Sequence, residues 1–355
     1  MMKPLSNQYF VYIKADQEPI PWNIYDVNPP SNLGLSTYYS RVFQAMEKHL
    51  KVSGLVFYVT WDEINELPSY GENVIAVVLG DEWFRIPKYF HKVGAVFKCL
   101  GTRPILGCNP LLQPSYLNFL SVIQFLRILV YRLPWVINYH FQKFKLWQTG
   151  RTEIPPIYDI PQGYGNSKDL PIKDIEARPN DVFFAGSVVH VPLPPWSLKQ
   201  WLGTPKTFSR REMISSLNNF MEKHPEMKAD LSVTPGFHAT SQEDVSTYSE
   251  RMMNAKICLI PRGTSFETIR FFEAIRYGCI PVTELLPSRW FYEEAPAIQI
   301  KNWRELGEVL ENLLENKHLL QEKHQESLKW WETKCSEAVV GQYMAERLNS
   351  LKSAS

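Results

Sequence analysis

The chain is poor in cysteine. Cys99, Cys108, Cys258, Cys279 and Cys335 form an odd set of five, and no two of them have CxxC spacing. Neither a structural zinc site nor a disulfide framework is therefore expected, and a reduced, cytoplasmic setting is. An excess of charge of one sign is also missing, with 38 Lys and Arg against 37 Asp and Glu. That balance argues against a nucleic-acid partner held by bulk charge, so an anionic ligand needs a local cluster. The opening "MMKPLSNQYFVYIKADQEP" has no long apolar run, so no signal peptide is expected. Neither GxxxxGK[ST] nor a GxGxxG opening a βαβ unit occurs, which disfavours P-loop and dinucleotide enzymes. No Asp-x-Asp follows an apolar run, Asp174-Ile-Glu176 sits in a loop-like stretch, and the histidines lack metal-ligand spacing. Neither a metal nor another cofactor is expected. No internal repeat is visible.

What is present suits a large core. The 355 residues are 45% hydrophobic and 21% charged, enough for two domains. Short apolar runs at 9–14, 55–60, 74–80 and 94–100 read as strands buried on both faces. A helical pattern over 38–54 lies between the first two. Residues 155–180 are rich in Pro, Gly, Asn and Asp, a linker composition. Alternation restarts with "DVFFAGS" (181–187), a helix over 209–224, "ADLSVT" (229–234), a helix over 241–255, and "AIQI" (297–300). The reading is an α/β chain with parallel sheets. Its divisions are 1–165, a linker at 166–180, a second domain at 181–325, and a charged helical segment at 326–355. Eleven Trp and seventeen Tyr suit stacking on sugars as well as ordinary packing.

The segment 117–147, "LNFLSVIQFLRILVYRLPWVINYHFQKFKLW", breaks the alternation. Arg127, Arg132 and Pro134 argue against a spanning helix. Two readings stay open. One is an amphipathic segment on a membrane surface; the other is a pair of core helices with snorkelling arginines.

Most of the chemistry lies in "AKICLIPRGTSFETIRFFEAIRYGCIPVTE", 255–284. A strand ending in Pro261-Arg262-Gly263 and feeding a helix at Thr264 or Ser265 is an anion site. Gly263 admits close approach, the unpaired N–H groups of the first turn face the ligand, and the helix dipole favours negative charge. Arg262 and Arg270 add forked donors and Ser265 a hydroxyl. On a helix, Phe266, Arg270, Glu273 and Tyr277 share one face, with Phe271, Phe272 and Ile275 opposite. Arg270 at a diphosphate and Glu273 at ribose hydroxyls would read a nucleoside diphosphate. The plainer alternatives are an exposed Arg270–Glu273 pair and a capping box, Thr264-x-x-Glu267.

Here the sequence resembles a known family, the exostosin-like glycosyltransferases of GT47 type. The carriers are Pro261 to Gly263, Arg270 to Ala274 and Gly278 to Val282. Upstream, Phe184 to Ser187 and Arg210 with Met213 and Leu217 are similar to family elements, as are "VVLGDEW" (77–83), "VFKCL" (96–100) and "IPQGYG" (160–165). The resemblance implies a GT-B architecture, two Rossmann-like domains facing across a cleft, with the acceptor in the first and a nucleotide-sugar, usually a UDP-sugar, in the second. It implies an inverting, metal-independent transfer to a hydroxyl of a glycan or lipid-linked glycan, a step of polysaccharide biosynthesis. Gly186, Ser187, Arg210, Arg262, Gly263, Thr264, Ser265, Arg270 and Glu273 would then hold the donor, and Arg270 would meet the charge of the departing diphosphate. For the base, Asp81 and Glu82 follow a strand directly, although both also suit the start of a short helix. His190 is a further candidate near the donor. A non-catalytic binding relative of the same fold is the alternative. The chain would be cytoplasmic, touching the inner face of the plasma membrane through 117–147 if the surface reading holds.

Overall fold

The computed structural model describes residues 6–15, 17–26, 30, 33–150, 153–165, 168–188, 203–234 and 242–353. The chain forms two compact units. Met1–Pro104, Arg127–Gly165 and Lys334–Ser355 make the first; Ile105–Leu126 and Asn166–Thr333 make the second. This differs from the contiguous division expected from composition, because composition does not report which helix packs on which sheet.

The first unit holds a six-stranded sheet in the order β2-β1-β3-β4-β5-β6. The strands are β1 (Gln8–Val11), β2 (Ile20–Pro21), β3 (Val56–Thr60), β4 (Gly71–Val78), β5 (Val93–Lys98) and β6 (Ile157–Asp159). All pairings are parallel except the short edge pair of β1 and β2. The apolar runs of β3, β4 and β5 are buried on both faces, with Phe57 opposite Ile75 and Ile75 opposite Ala95. Tyr58, Val74, Ala76, Phe90 and Val96 share one core cluster.

The helix Ser36–His49 packs against the C-terminal helix Glu337–Ser353. At Gly341 a Cβ would stand 2.6 Å from the carbonyl oxygen of Val42 and 2.7 Å from the nitrogen of Met46. Only glycine permits this backbone approach. Tyr38 Oη donates to the Cys335 carbonyl at 2.7 Å, and Tyr164 Oη to Glu337 at 2.6 Å, tying the C-terminal residues into the unit.

The second unit holds β7 (Asn180–Ser187), β8 (Ala229–Thr234), β9 (Ala255–Ile260), β10 (Ile280–Thr283) and β11 (Ile298–Gln299). Their order is β11-β10-β9-β7-β8, and every pairing is parallel. The chain runs from β7 to β8 on one side and returns to place β9 on the other. The carboxyl ends of β7 and β9 therefore flank a topological switch point, where open α/β sheets bind ligands. Below it lies a core that includes Val182, Phe184, Met213, Leu217, Ile257, Leu259 and Trp303. Both units are Rossmann-like domains built on mainly parallel sheets, as the resemblance implies.

Residues 116–148 form one continuous helix that passes through Pro134. Its first turns count to the second unit and the remainder to the first. The reading as a pair of core helices fails, because most of its large apolar side chains are exposed.

Candidate functional site

The carboxyl end of β7 carries Ala185, Gly186 and Ser187. Two arginines converge on it. Arg210, on the helix Pro205–Lys223, donates from Nη1 to the Ser187 carbonyl and from Nε to the Arg262 carbonyl at 3.4 Å. That helix starts at Pro205 rather than at the expected 209, because Thr204 caps the Thr207 N–H at 3.2 Å and Pro205 fills the first turn. Arg270 donates from Nη2 to the Ala185 carbonyl, its guanidinium 5.2 Å from the centroid of the Phe184 ring. Gly186 makes this possible. A Cβ there would stand 2.7 Å from Arg270 Nη2 and 3.6 Å from Arg210 Nη1.

Across the switch point, β9 ends at Ile260 and the Pro261-Arg262-Gly263 loop follows, as read from the sequence. The helix does not start at Thr264 or Ser265, however. It runs from Ile269 to Arg276, with Thr268 as N-cap. Three anchors hold 264–268 out of helical form. Phe266 is buried beneath the Arg262 guanidinium, 4.0 Å from ring centroid to Cζ. Glu267 is held by Arg289 through Nε and Nη2 at 2.6–3.0 Å. Gln124 Nε2 donates to the Thr264 carbonyl at 2.6 Å. The capping-box reading of Glu267 is thus corrected to a buried ion pair. Ser265 Oγ accepts from the Glu267 N–H at 3.2 Å, and the Gly263 N–H donates to the Ser265 carbonyl at 2.9 Å. Both groups are spent within the loop.

Arg262 is buried and donates from Nη1 to Ser121 Oγ at 2.9 Å. Burial pulls its guanidinium below the ordinary value, with Glu284 pulling the other way. Burial pushes the Glu284 carboxyl up, against Arg262 and the donors Ser209 and Trp303. Arg270 and Glu273 do not make an exposed pair: Glu273 is buried and accepts from Tyr248 Oη at 3.0 Å.

Several buried polar atoms here have no hydrogen-bond partner among the described residues. They are Ser187 Oγ, Arg262 Nε, Thr268 Oγ1, Arg270 Nε and Glu284 Oε2. An orphaned buried donor costs about 1–3 kcal/mol, a cost that a bound anion removes. Three of these groups, from Ser187, Thr268 and Arg270, belong to the residues that end β7 and begin the helix. Thr268, Ser121 and Glu284 were not found from sequence. Thr268 carries a helix-start signal, but it competed with the stronger pattern at Thr264. His190 lies outside the described residues.

In the first unit the structure gives Asp81 a task other than that of a base. Asp81 is fully buried, with Lys98 Nζ at 2.9 Å and Arg85 Nε at 2.8 Å. It also accepts from the backbone N–H groups of Arg85 and Trp83 at 2.8 and 3.3 Å, so it caps a turn rather than a helix. Burial pushes its carboxyl up, but Lys98 and Arg85 outweigh that and hold it below the usual range. Glu82 is exposed on the same turn.

A different carboxylate emerges at the end of β3. Glu63 is buried, accepts from Trp135 Nε1 at 2.8 Å, and has no partner for Oε1 among the described residues. Burial pushes its carboxyl up, with Arg85 and Trp135 pulling down less strongly. Trp83, Tyr131 and Trp135 form a row beside it, with centroids 4.4 and 5.6 Å apart. The acids of "TWDE" (60–63), directly after a strand, were the available signal.

Residues 129–284 match the model of the Exostosin GT47 domain. Over 88 residues the chain is 30% identical to Exostosin-1 of Bos taurus, covering 25% of this chain and 10% of that protein. It is 34% identical to ribitol-5-phosphate xylosyltransferase 1 of Homo sapiens, over 23% of this chain and 22% of that protein. Among solved structures, a sucrose-phosphate synthase from Thermosynechococcus elongatus is similar at a TM-score of 0.48 and 11% identity, covering 99% of this chain and 100% of that one. The chain spans about a tenth of the length of the Exostosin-1 proteins it matches. Its residues 129–284, which contain the guanidinium cluster and both strands of the switch point, are an Exostosin GT47 domain, distantly homologous to exostosin-1 and to ribitol-5-phosphate xylosyltransferase 1.

Proposed function

We propose that this chain is an inverting glycosyltransferase that moves a sugar from a nucleotide-sugar, of the UDP type, to a hydroxyl of a glycan or lipid-linked glycan. The observation that carries this reading is the set of orphaned donors and guanidinium groups at the switch point of an Exostosin GT47 domain. A diphosphate would sit at the end of β7 and the start of the helix Ile269–Arg276. Ser187, Thr268, Arg270 and the first-turn N–H groups would face it, while Arg210 ties the two strand ends together through the carbonyls of Ser187 and Arg262. Glu273, beside Tyr248, would accept from the ribose hydroxyls. Cations and a helix terminus supply the positive charge, which is why the reaction is proposed to run without a metal.

In the transfer, the acceptor oxygen attacks the anomeric carbon as the bond to the diphosphate oxygen breaks. The electron pair goes to the diphosphate, where Arg270 meets it. The hydroxyl proton goes to a carboxylate. Within the first unit Glu63 has a raised pKa and an unpartnered oxygen that suit proton uptake, and the ring row beside it offers faces on which a sugar can stack. Asp81, held by two cations, does not suit it. The state of Asp81 also favours a second reading, a nucleotide-sugar-binding relative without turnover.

Calorimetric titration of UDP with and without EDTA tests the donor site, and complete loss of binding on chelation would refute the metal-free claim. Donor hydrolysis without acceptor, measured on wild type and on Glu63→Gln and Glu82→Gln, separates the two readings. A wild-type chain that binds UDP and releases no sugar from any UDP-sugar supports the second.

A further inference from the structure

The outer face of the helix Tyr116–Gln148 is unpartnered. Phe119, Ile123, Leu126, Val130, Leu133, Ile137, Phe141 and Phe144 are all exposed, with Val130 at 71% and Ile137 at 59%. At 100° per residue these positions fall within roughly 40° of one line along the helix. They make a stripe of about 40 Å at 1.5 Å per residue. Exposed Arg127 and Lys145 flank it on one side, and Lys143 is exposed farther round the helix. The opposite face is committed to the protein: Gln124 donates to Thr264, Arg132 to the Thr102 carbonyl at 2.6 Å, and Trp135 to Glu63.

Charge identifies the occupant. No Asp or Glu occurs between Glu82 and Glu153, so the helix and its flanks carry cations alone. A second copy laid on this stripe would bring Arg127, Lys143 and Lys145 against their equivalents with no acid to pair them, unlike the mixed charges that flank helix–helix seams. A bilayer of anionic lipid matches both features. The apolar stripe enters the acyl boundary while the long basic side chains reach back to the headgroups. By length and composition alone the helix could cross a membrane, but its inner face is bonded to the rest of the chain, which fits a helix lying in the interface.

We infer that this helix seats the protein on an anionic membrane surface, lying in the plane of the interface. The inference stands independently of the catalytic reading. The test is flotation of the full chain with phosphatidylcholine vesicles, with and without phosphatidylserine, at low and high salt. Binding to the anionic vesicles is expected, with a marked loss on raising salt. The double variant Lys143→Glu/Lys145→Glu should lower the partition coefficient by at least about tenfold, since each cation near the surface adds severalfold. Ile137→Ser/Phe141→Ser, on exposed sites that the fold does not use, should abolish it. The inference is overturned if the wild-type chain fails to float at low salt, if charge reversal leaves flotation unchanged, or if Ile137→Ser/Phe141→Ser instead dissociates a dimer in solution.

Discussion

At the scale of the residue, glycine and arginine decide the site together. Gly186 is not in a left-handed conformation; it is needed because two guanidiniums reach the carbonyls on either side of it. Gly186→Ala should therefore push the flexible end of Arg270 aside and weaken UDP binding at least tenfold in calorimetry, while Tm changes little. Arg270→Lys keeps a charge but loses the planar fork. Its kcat should fall by about 10²–10³ with a smaller change in donor affinity, in line with losing one charge-stabilising donor; a kcat within twofold of wild type removes Arg270 from the mechanism. Asp81→Asn should cost about 3–5 kcal/mol in denaturant unfolding, because it leaves the buried Lys98 without its carboxylate, whereas Arg85 keeps Asp62 and Glu63. The folded-state pKa of Asp81 is lowered, so its carboxylate contributes stability present above its ordinary 3.8 and lost as pH falls below that value through the folded one. The wild type should lose stability more steeply than Asp81→Asn on acidification through that window.

At the scale of the element, most strands were legible, but β2, β6 and the two helix starts beside the candidate site were not. "AKICLI" forms β9, and β10 is "IPVT" (280–283), since a continuous apolar run between loop signals has few other fates. The helix after Pro261-Arg262-Gly263 begins later than its local pattern indicates. Phe266 and Glu267 are captured by Arg262 and by Arg289, residues that sequence spacing does not bring near. The same limit hid the packing of the last helix on Ser36–His49. Gly341→Val should overpack that contact and lower stability by about 1–3 kcal/mol, read as a shift in urea midpoint at unchanged slope. A neutral result would mean that the two helices can separate without loss.

At the scale of the molecule, each of the two sheets has its own core. Nucleotide bound at the β7–β9 end should raise hydrogen-exchange protection at 183–188 and 261–276 and leave β3, β4 and β5 unchanged. At 100 times its Kd the ligand should stabilise the unit that holds it by about 2.7 kcal/mol. Protection rising instead around Glu63 and Trp135 would place the nucleotide in the wrong unit.

The sequence by itself determined the α/β class and most strand positions, because these rest on local periodicity, and short motifs such as Pro261-Arg262-Gly263 and Arg270 to Ala274 marked the stretch where the donor site is proposed. The tertiary structure decided which polar groups stay unspent. Ser265 and Gly263 satisfy each other's loop, while Ser187, Thr268 and Arg270 keep orphaned atoms at the switch point. It also decided the roles of the carboxylates. Asp81 and Glu63 both follow apolar strands, yet one is buried between two cations and the other keeps an unpartnered oxygen among the described residues. A carboxylate's proton affinity is set by its neighbours in space, and parallel strands draw those neighbours from distant parts of the chain.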